Sequence, residues 1–86
     1  MIEFDIYTME ALPMDEQVFR ETILEIVSAI KEAGYDPYEQ LMGYLKTGQE
    51  YYITRTRNAR TLIKNLELER LQQYVNELQF HRKNEN

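Results

Sequence analysis

Apolar residues recur at helical spacing along most of this chain, most regularly between Asp15 and Ala33. There they occupy one stripe of a helix while glutamates face away, which predicts an amphipathic helix. The stripe consists of Phe19, Ile23, Ile26, Val27, Ile30 and Ala33. Gly34 follows at once, where a residue with positive φ commonly ends a helix.

A second helix is predicted directly after this glycine. Asp36 can cap it, and Pro37 suits its first position, where a missing N–H costs nothing. Its apolar face consists of Tyr38, Leu41, Met42 and Leu45. Gly48 ends it. The Thr-x-x-Glu spacing across this glycine is that of a capping box, which predicts one further helical turn over residues 49–53.

The third predicted helix spans about residues 56–80, and its apolar stripe changes direction part of the way along. The first half of the stripe is Ala59, Leu62, Ile63 and Leu66, and the second half is Leu68, Leu71, Val75 and Leu78. The two halves point to different sides of a straight helix. Either the helix breaks near Glu67–Glu69 into two helices, or one helix buries two faces against two bodies. Both interpretations favour a partner chain.

The first residues follow a different pattern. Ile2, Phe4 and Ile6 alternate with polar residues, which is the period of a half-buried strand. Either two copies pair these strands across a dimer, or residues 1–12 form an extended arm against the helices. The polar residues 81–86 form a frayed tail. The pattern predicts a single all-α domain of residues 1–86 with four to five helices.

The small size of the chain favours association with a second copy, and its composition suits a reducing compartment. A chain of 86 residues buries roughly 60–65% of its unfolded surface, so a lone monomer would be marginal and we expect a homodimer. Cysteine is absent, so no disulfide supports the core. The chain start has no basic segment or apolar run of a signal peptide, and no stretch approaches the ~20 apolar residues of a membrane span. We therefore expect a cytoplasmic protein without membrane insertion.

Catalytic and metal-binding patterns are not found in the sequence. His81 stands alone in the tail, and no phosphate-binding loop or nucleophile motif occurs. The carboxylates of the first helix are spread along a solvated face. We therefore expect no enzyme activity, no catalytic residues, no metal and no cofactor.

A short basic segment is the strongest candidate for binding. Four cations fall within ten positions with no acid between them: Arg55, Arg57, Arg60 and Lys64. On a helix the last three share a face, and guanidinium groups suit carboxylate or phosphate recognition. Three interpretations remain open: ion pairs inside the fold with Glu50, Glu67 or the first helix, a protein partner, or nucleic acid. The net charge of −5 argues against nucleic acid.

Gly43 is unusual because it interrupts the second helix. It lies opposite Leu41 and Leu45, where glycine costs about 1 kcal/mol relative to alanine. Either it reflects drift, or another backbone or side chain approaches closely there. The predicted dimer or contact surface combines this glycine with nearby tyrosines and the second stripe of the last helix. Its members are Gly43, Tyr44, Tyr51, Tyr52, Leu71, Val75 and Leu78.

Several segments, read in order, resemble the IreB family of small cytoplasmic regulatory phosphoproteins from low-GC Gram-positive bacteria. These segments are Gly34–Pro37, Gln40–Leu45, Thr47–Gly48, Tyr52–Ile53, Asn58–Arg60, Ile63–Lys64 and Leu66–Glu67. The resemblance covers roughly residues 30–70 and implies an all-helical homodimer. It also implies that Arg55, Arg60 and Lys64 correspond to the basic positions of the family's Ala-Arg helix, which gives them weight as a partner-binding face.

The resemblance further implies a place in cell-wall control. Family members are substrates of a transmembrane Ser/Thr kinase with extracellular PASTA repeats. In the unphosphorylated form they promote Clp-protease turnover of the enzyme that commits UDP-N-acetylglucosamine to peptidoglycan, and phosphorylation relieves this effect. The family's phosphorylated threonine lies in a flexible acidic tail. Thr8 is the only threonine in that part of this chain, although its flanks differ from the family's pattern, so either a retained switch or a constitutive binding module remains open.

Overall fold

The computed structural model describes residues 15–84 of the chain, and this part is all-helical, as predicted. Its four α-helices are α1 (Glu16–Glu32), α2 (Pro37–Thr47), α3 (Ala59–Ile63) and α4 (Leu68–Asn84). Single turns of 3-10 helix occur at Glu50–Tyr52 and Thr56–Asn58. No strand occurs in this part of the chain. The predicted N-terminal arm and Thr8 lie outside the described residues.

Helix α1 begins and ends at the residues that the sequence indicates. The Asp15 carboxylate accepts a hydrogen bond from the backbone N–H of Val18 at 2.9 Å, which satisfies a donor that the first turn leaves open. At the other end Gly34 has a φ of 90°. The N–H of Tyr35 then donates to the Ile30 carbonyl at 3.1 Å, and the N–H of Gly34 to the Lys31 carbonyl at 2.9 Å. These two bonds form a Schellman motif.

Helix α2 also begins at an aspartate cap and ends at a glycine with positive φ, but the turn after it differs from the prediction. The Asp36 carboxylate accepts from the Glu39 N–H at 3.1 Å, and Gly48 ends the helix with a φ of 73°. The predicted turn after it is present as Glu50–Tyr52, but the capping box is not formed. Thr47 instead donates its hydroxyl to the Gly43 carbonyl at 2.7 Å and accepts from the Gln49 N–H.

The long last helix is broken, which decides between the two predicted alternatives. Helix α3 ends at Ile63 and α4 begins at Leu68. In the turn between them, the Asn65 N–H donates to the Leu62 carbonyl and the Leu66 N–H donates to the Ile63 carbonyl, both at 3.1 Å. The start also differs from the prediction. Residues 56–58 form a 3-10 turn rather than the first turn of an α-helix.

This break lets both apolar stripes enter one core. Helix α1 packs against α3, and α2 packs against α4. The buried residues are Phe19, Ile23, Ile26, Val27, Ala29, Ile30, Leu41, Tyr44, Ile53, Ala59, Ile63, Leu66, Leu71 and Val75. The assignment of Tyr44, Leu71 and Val75 to a contact surface is therefore wrong, because these side chains are buried inside the protomer. Leu78 packs partly against the same core.

Candidate functional site

The basic segment lies mainly in the connection between α2 and α3, not along one helix. Arg57 and Asn58 have φ values of 52° and 63°, so the chain takes two left-handed residues just before α3 begins. Arg60 lies on α3, and Lys64 is the residue that ends it. The expectation that Arg57 shares one helix face with Arg60 and Lys64 is therefore wrong, since the left-handed Arg57 and Asn58 turn the chain before α3 begins. Arg60 and Lys64 keep the predicted spacing of four residues at this helix.

Arg57 is held by the first helix. Its two terminal nitrogens contact Glu25 at 3.3 Å and Glu32 at 3.0 Å, both on α1. Lys64 contacts Glu50 at 3.0 Å in the same manner. For these two cations the contacts match the interpretation in which they pair inside the fold. All these side chains are substantially exposed, so each pair contributes at most about 1 kcal/mol.

Arg60 has a different role, because it bonds to the backbone of the preceding turn. Its Nε donates to the Ile53 carbonyl at 2.7 Å, and its Nη2 donates more weakly to the Tyr51 carbonyl at 3.3 Å. Ile53 is fully buried and Arg60 half-buried. Hydrogen bonds from a charged donor in such a setting contribute about 1.5–3 kcal/mol. Arg60 therefore joins the start of α3 to the turn that follows α2.

Arg55 is the cation of the basic segment that the described part of the fold leaves available. Its side chain is exposed and makes no hydrogen bond or ion pair within residues 15–84. It lines a cleft of about 310 Å³, and the described residues around that cleft include no carboxylate. The lining residues are Tyr35, Gln40, Tyr51, Ile53, Thr54, Arg55, Thr56 and Arg60. The whole chain has 15 acidic residues, but the described residues around this cleft include two arginines and no acid. The electrostatic potential in the cleft is therefore positive.

Hydrogen bonds hold the wall of this cleft in place. The side-chain oxygen of Gln40 accepts from the Thr54 N–H at 2.8 Å, across 14 residues of chain. The Thr54 hydroxyl donates to the Thr56 hydroxyl at 3.0 Å and accepts from the Thr56 N–H at 3.2 Å. Because the Gln40 oxygen and the Thr54 hydroxyl are already engaged, the groups left for a ligand are mainly donors.

Gly43 is covered by a tyrosine of the same chain. A Cβ atom at this position would lie 2.7 Å from Cδ1 and 3.0 Å from Cγ of Tyr52, too close for any real side chain. The Tyr52 ring stacks on Tyr51 with centroids 5.0 Å apart. Tyr51 is 62% exposed and Tyr52 41% exposed. Of the predicted contact residues, these two tyrosines form an exposed aromatic surface beside the cleft.

A second groove was not predicted. It lies between α1 and α4, has a volume of about 400 Å³, and contains Phe19, Leu24, Arg70 and Tyr74. Arg70 lies over the Phe19 ring at 5.6 Å. Burial, and then the charge of Glu77, raise the pKa of the Tyr74 hydroxyl above its usual value. The exposed Leu24 was the available signal, because an apolar residue on the polar face of a helix departs from amphipathic spacing.

Residues 15–84 contain neither a candidate metal cluster nor a candidate membrane-spanning helix. No group of three or more His, Cys, Asp or Glu side chains is arranged there to hold a metal ion. None of the helices in that range is long and apolar enough to cross a membrane. His81 contacts only the edge of Phe80 among the interactions described, with ring centroids 5.9 Å apart.

The fold and the cleft define a small helical protein with a donor-lined surface recess flanked by exposed tyrosines. The chain belongs to the IreB family, because the family model described as "IreB regulatory phosphoprotein" matches residues 6–78. This confirms the predicted family, extends the match well beyond residues 30–70 and supports a regulatory role. The family's description is that of a regulatory phosphoprotein rather than of an enzyme.

Relatives in two clostridial species agree with this assignment. A UPF0297 protein of Clostridioides difficile (strain 630) is 39% identical over 71 residues, which cover 80% of this chain and 84% of that protein. A UPF0297 protein of Ruminiclostridium cellulolyticum is 37% identical over 71 residues, covering 83% of this chain and 78% of the relative.

Proposed function

We propose that this chain is a non-enzymatic regulator that binds other proteins and controls peptidoglycan synthesis through protease-dependent turnover of a synthetic enzyme. Membership of a regulatory phosphoprotein family supports the general role. The observation that carries the proposal is Arg55, a cation without an internal partner among the described residues, beside Arg60 in a cleft without carboxylates. The link to the cell wall rests on the family resemblance.

The surface around the cleft suits recognition of a protein. Arginine and tyrosine are enriched among the residues that contribute most to protein–protein binding. Here Arg55 and the exposed Tyr51–Tyr52 stack lie on neighbouring parts of one connection. A partner with an acidic element would be attracted to this cleft and repelled by the acids that dominate the rest of the surface.

We also propose that the functional form is a homodimer. Several large apolar side chains are exposed on the protomer, including Leu24 on α1 and Phe80 on α4. A small domain that exposes such side chains gains stability when a second copy covers them. Because Tyr44, Leu71 and Val75 are buried, the remaining candidates from the predicted surface are Gly43, Tyr51, Tyr52 and Leu78.

The regulatory input stays a prediction at Thr8. This residue lies inside the range matched by the family model but outside the described residues. A Ser/Thr kinase would add about −1.5 to −2 charges there, next to acids of the same segment. Incubation with a PASTA-type kinase and ATP, followed by mass spectrometry, tests the site. No phosphate at Thr8 would leave a constitutive binding module.

Nucleic acid binding is not favoured by the contacts. Arg57 and Lys64 contact carboxylates at 3.0–3.3 Å, so the four cations form no continuous basic stripe. The net charge of −5 adds repulsion of a polyanion.

A matched pair of charge reversals tests the proposed site. Arg55→Glu changes a cation of the cleft, and Lys31→Glu changes an exposed cation in the last turn of α1, outside that cleft. We expect wild type and Lys31→Glu to capture the same cytoplasmic partner, and Arg55→Glu to lose it while keeping its helix content. Equal capture by all three baits would contradict the proposal.

A further inference from the structure

The polar side chains that the cleft leaves available to a ligand can all donate hydrogen bonds. Arg55 has its whole guanidinium available, and Arg60 keeps its Nη1 group, because only Nε and Nη2 bond to carbonyls. Gln40 has its oxygen engaged by Thr54, which leaves its NH₂ group free to donate. Thr56 accepts from Thr54, so its own hydroxyl proton is free as well. A recess with this lining selects an anion.

From this donor set we propose that the cleft is a binding site for a phosphomonoester, presented as a phosphorylated side chain. The inference rests on the proposed function, because it names the chemistry that the partner-binding cleft recognises. Two arginines without a carboxylate provide two positive charges. A phosphomonoester carries about −1.5 to −2 charges near neutral pH and three strong acceptor oxygens, so it balances both arginines, whereas one carboxylate leaves a charge uncompensated.

The size of the cleft limits the ligand. Its volume of about 310 Å³ lies at the lower end of the range for small-molecule sites, roughly 300–1,000 Å³. This space takes a phosphorylated side chain or a small phosphate ester rather than a nucleotide. The rings of Tyr35 and Tyr51 flank the recess and are exposed, so they can pack against the residues on either side of the phosphorylated one.

The site is organised before a ligand arrives. The bond from the Thr54 N–H to the Gln40 side chain and the bond from Arg60 to the Ile53 carbonyl hold residues 53–54, which form part of the wall. The Arg55 carbonyl accepts from the Asn58 N–H at 3.3 Å, which closes the turn that follows. A preformed wall reduces the ordering that binding would otherwise require.

Titration of the full-length, ¹⁵N-labelled chain tests the inference. The probes are a capped peptide with phosphothreonine between alanines, the same peptide with threonine, the same peptide with glutamate, and free O-phosphothreonine. We expect the phosphopeptide to shift the amide signals of residues 53–56 and 60, and O-phosphothreonine to do so more weakly. The threonine and glutamate peptides should leave these signals unchanged at the same concentrations.

Variants assign the effect to the cleft. Arg55→Gln removes one charged donor and should weaken phosphopeptide binding about tenfold to a hundredfold. Lys31→Gln removes a charge that does not line the cleft and should bind as wild type does. Tighter binding of free O-phosphothreonine than of the peptide would overturn a phosphorylated side chain as the ligand and point to a small phosphate ester.

The remaining outcomes separate this inference from the proposed function. If the glutamate peptide binds as well as the phosphopeptide, the phosphomonoester assignment falls, although an anion-binding cleft stands. If no probe binds but Arg55→Glu still loses the cytoplasmic partner, the ligand class is wrong and the proposed function stands. If no probe binds and Arg55→Glu keeps the partner, both are wrong.

Discussion

Arg55 and Arg57 carry the same side chain and lie two residues apart, yet their surroundings differ. Arg57 contacts two glutamates of α1, whereas the Arg55 side chain lines the cleft and makes no hydrogen bond or ion pair within residues 15–84. The backbone causes the difference. Arg55 has a right-handed conformation, with a φ of −83°, and Arg57 a left-handed one, with a φ of 52°. A dense run of charge along a sequence therefore does not by itself define a binding surface.

The contrast depends on how firmly the connection between α2 and α3 is held. The contacts that hold it include those of Arg60 with the backbone of the preceding turn, of Tyr52 with Gly43, and of Arg57 with α1. Each can be removed separately. The expected losses of stability differ in size, and a smaller loss than any of them is expected at Arg55, the residue that we propose for binding, because its side chain makes none of these contacts.

The largest effect is expected from Arg60→Ala. This change leaves the carbonyl oxygen of Ile53, a fully buried residue, without its charged hydrogen-bond donor. We therefore expect the free energy of unfolding to fall by about 2 kcal/mol. Urea unfolding followed by circular dichroism measures it. Lys31→Ala, an exposed cation on α1, is the control and should change little. A neutral Arg60→Ala would show that the two carbonyl bonds do not hold the turn.

The next effect is expected from Gly43→Ala. Alanine favours a helix over glycine by about 1 kcal/mol, but the new Cβ would lie 2.7 Å from Tyr52. The ring would have to move away, so we expect the helix gain to be lost and stability to fall by about 1 kcal/mol.

A second variant isolates the ring. In Tyr52→Ala the ring atoms at 2.7 and 3.0 Å are absent and only the Cβ of residue 52 stays near, at 3.3 Å, so adding Gly43→Ala to that background should cost less stability than it does in wild type. A double-mutant cycle measures this coupling. If Gly43→Ala is stabilising in the wild-type background, the close approach of Tyr52 has no energetic weight and the glycine reflects drift.

A smaller effect is expected at Arg57, because its ion pairs stabilise the fold whereas its left-handed backbone conformation is unfavourable for a residue other than glycine. Arg57→Ala removes two exposed ion pairs and should cost about 0.5 kcal/mol. Arg57→Gly removes the same pairs, but glycine adopts the left-handed conformation freely, so this variant should be more stable than Arg57→Ala by about 1 kcal/mol. Equal stability of the two variants, measured by urea unfolding, would show that the left-handed backbone carries no strain.

The same connection marks the limit of what the sequence predicts. Helices α1 and α2 were predicted closely because their signals are local: Asp15 and Asp36 cap them, and Gly34 and Gly48 end them with positive φ. The change of stripe after Leu66 also indicated the break before α4. Such features depend on residues within a few positions of each other.

The candidate site depends on contacts between distant parts of the chain, which local patterns do not contain. The hydrogen bond from Thr54 to Gln40 joins residues 14 positions apart, and the ion pair of Arg57 with Glu25 joins residues more than 30 positions apart in the chain. Nothing in the order Arg-Thr-Arg-Asn indicates two left-handed residues, because only Asn58 among them is of a type that adopts that conformation readily. The four cations could therefore be found by sequence, but not sorted into paired and available ones.

The smallest effect on stability is expected from Arg55→Gln, and this variant tests the comparison between the two arginines most directly. The wild-type Arg55 side chain makes no hydrogen bond or ion pair within the described residues, so the free energy of unfolding of the variant should stay within about 0.5 kcal/mol of wild type. Binding of the partner should nevertheless be lost or strongly weakened. Arg57→Gln should do the reverse, lowering stability slightly while the partner still binds. Unfolding curves and partner binding, measured on both variants, decide the matter: if Arg57→Gln loses the partner and Arg55→Gln does not, then the recognised surface is the side of the connection that faces α1.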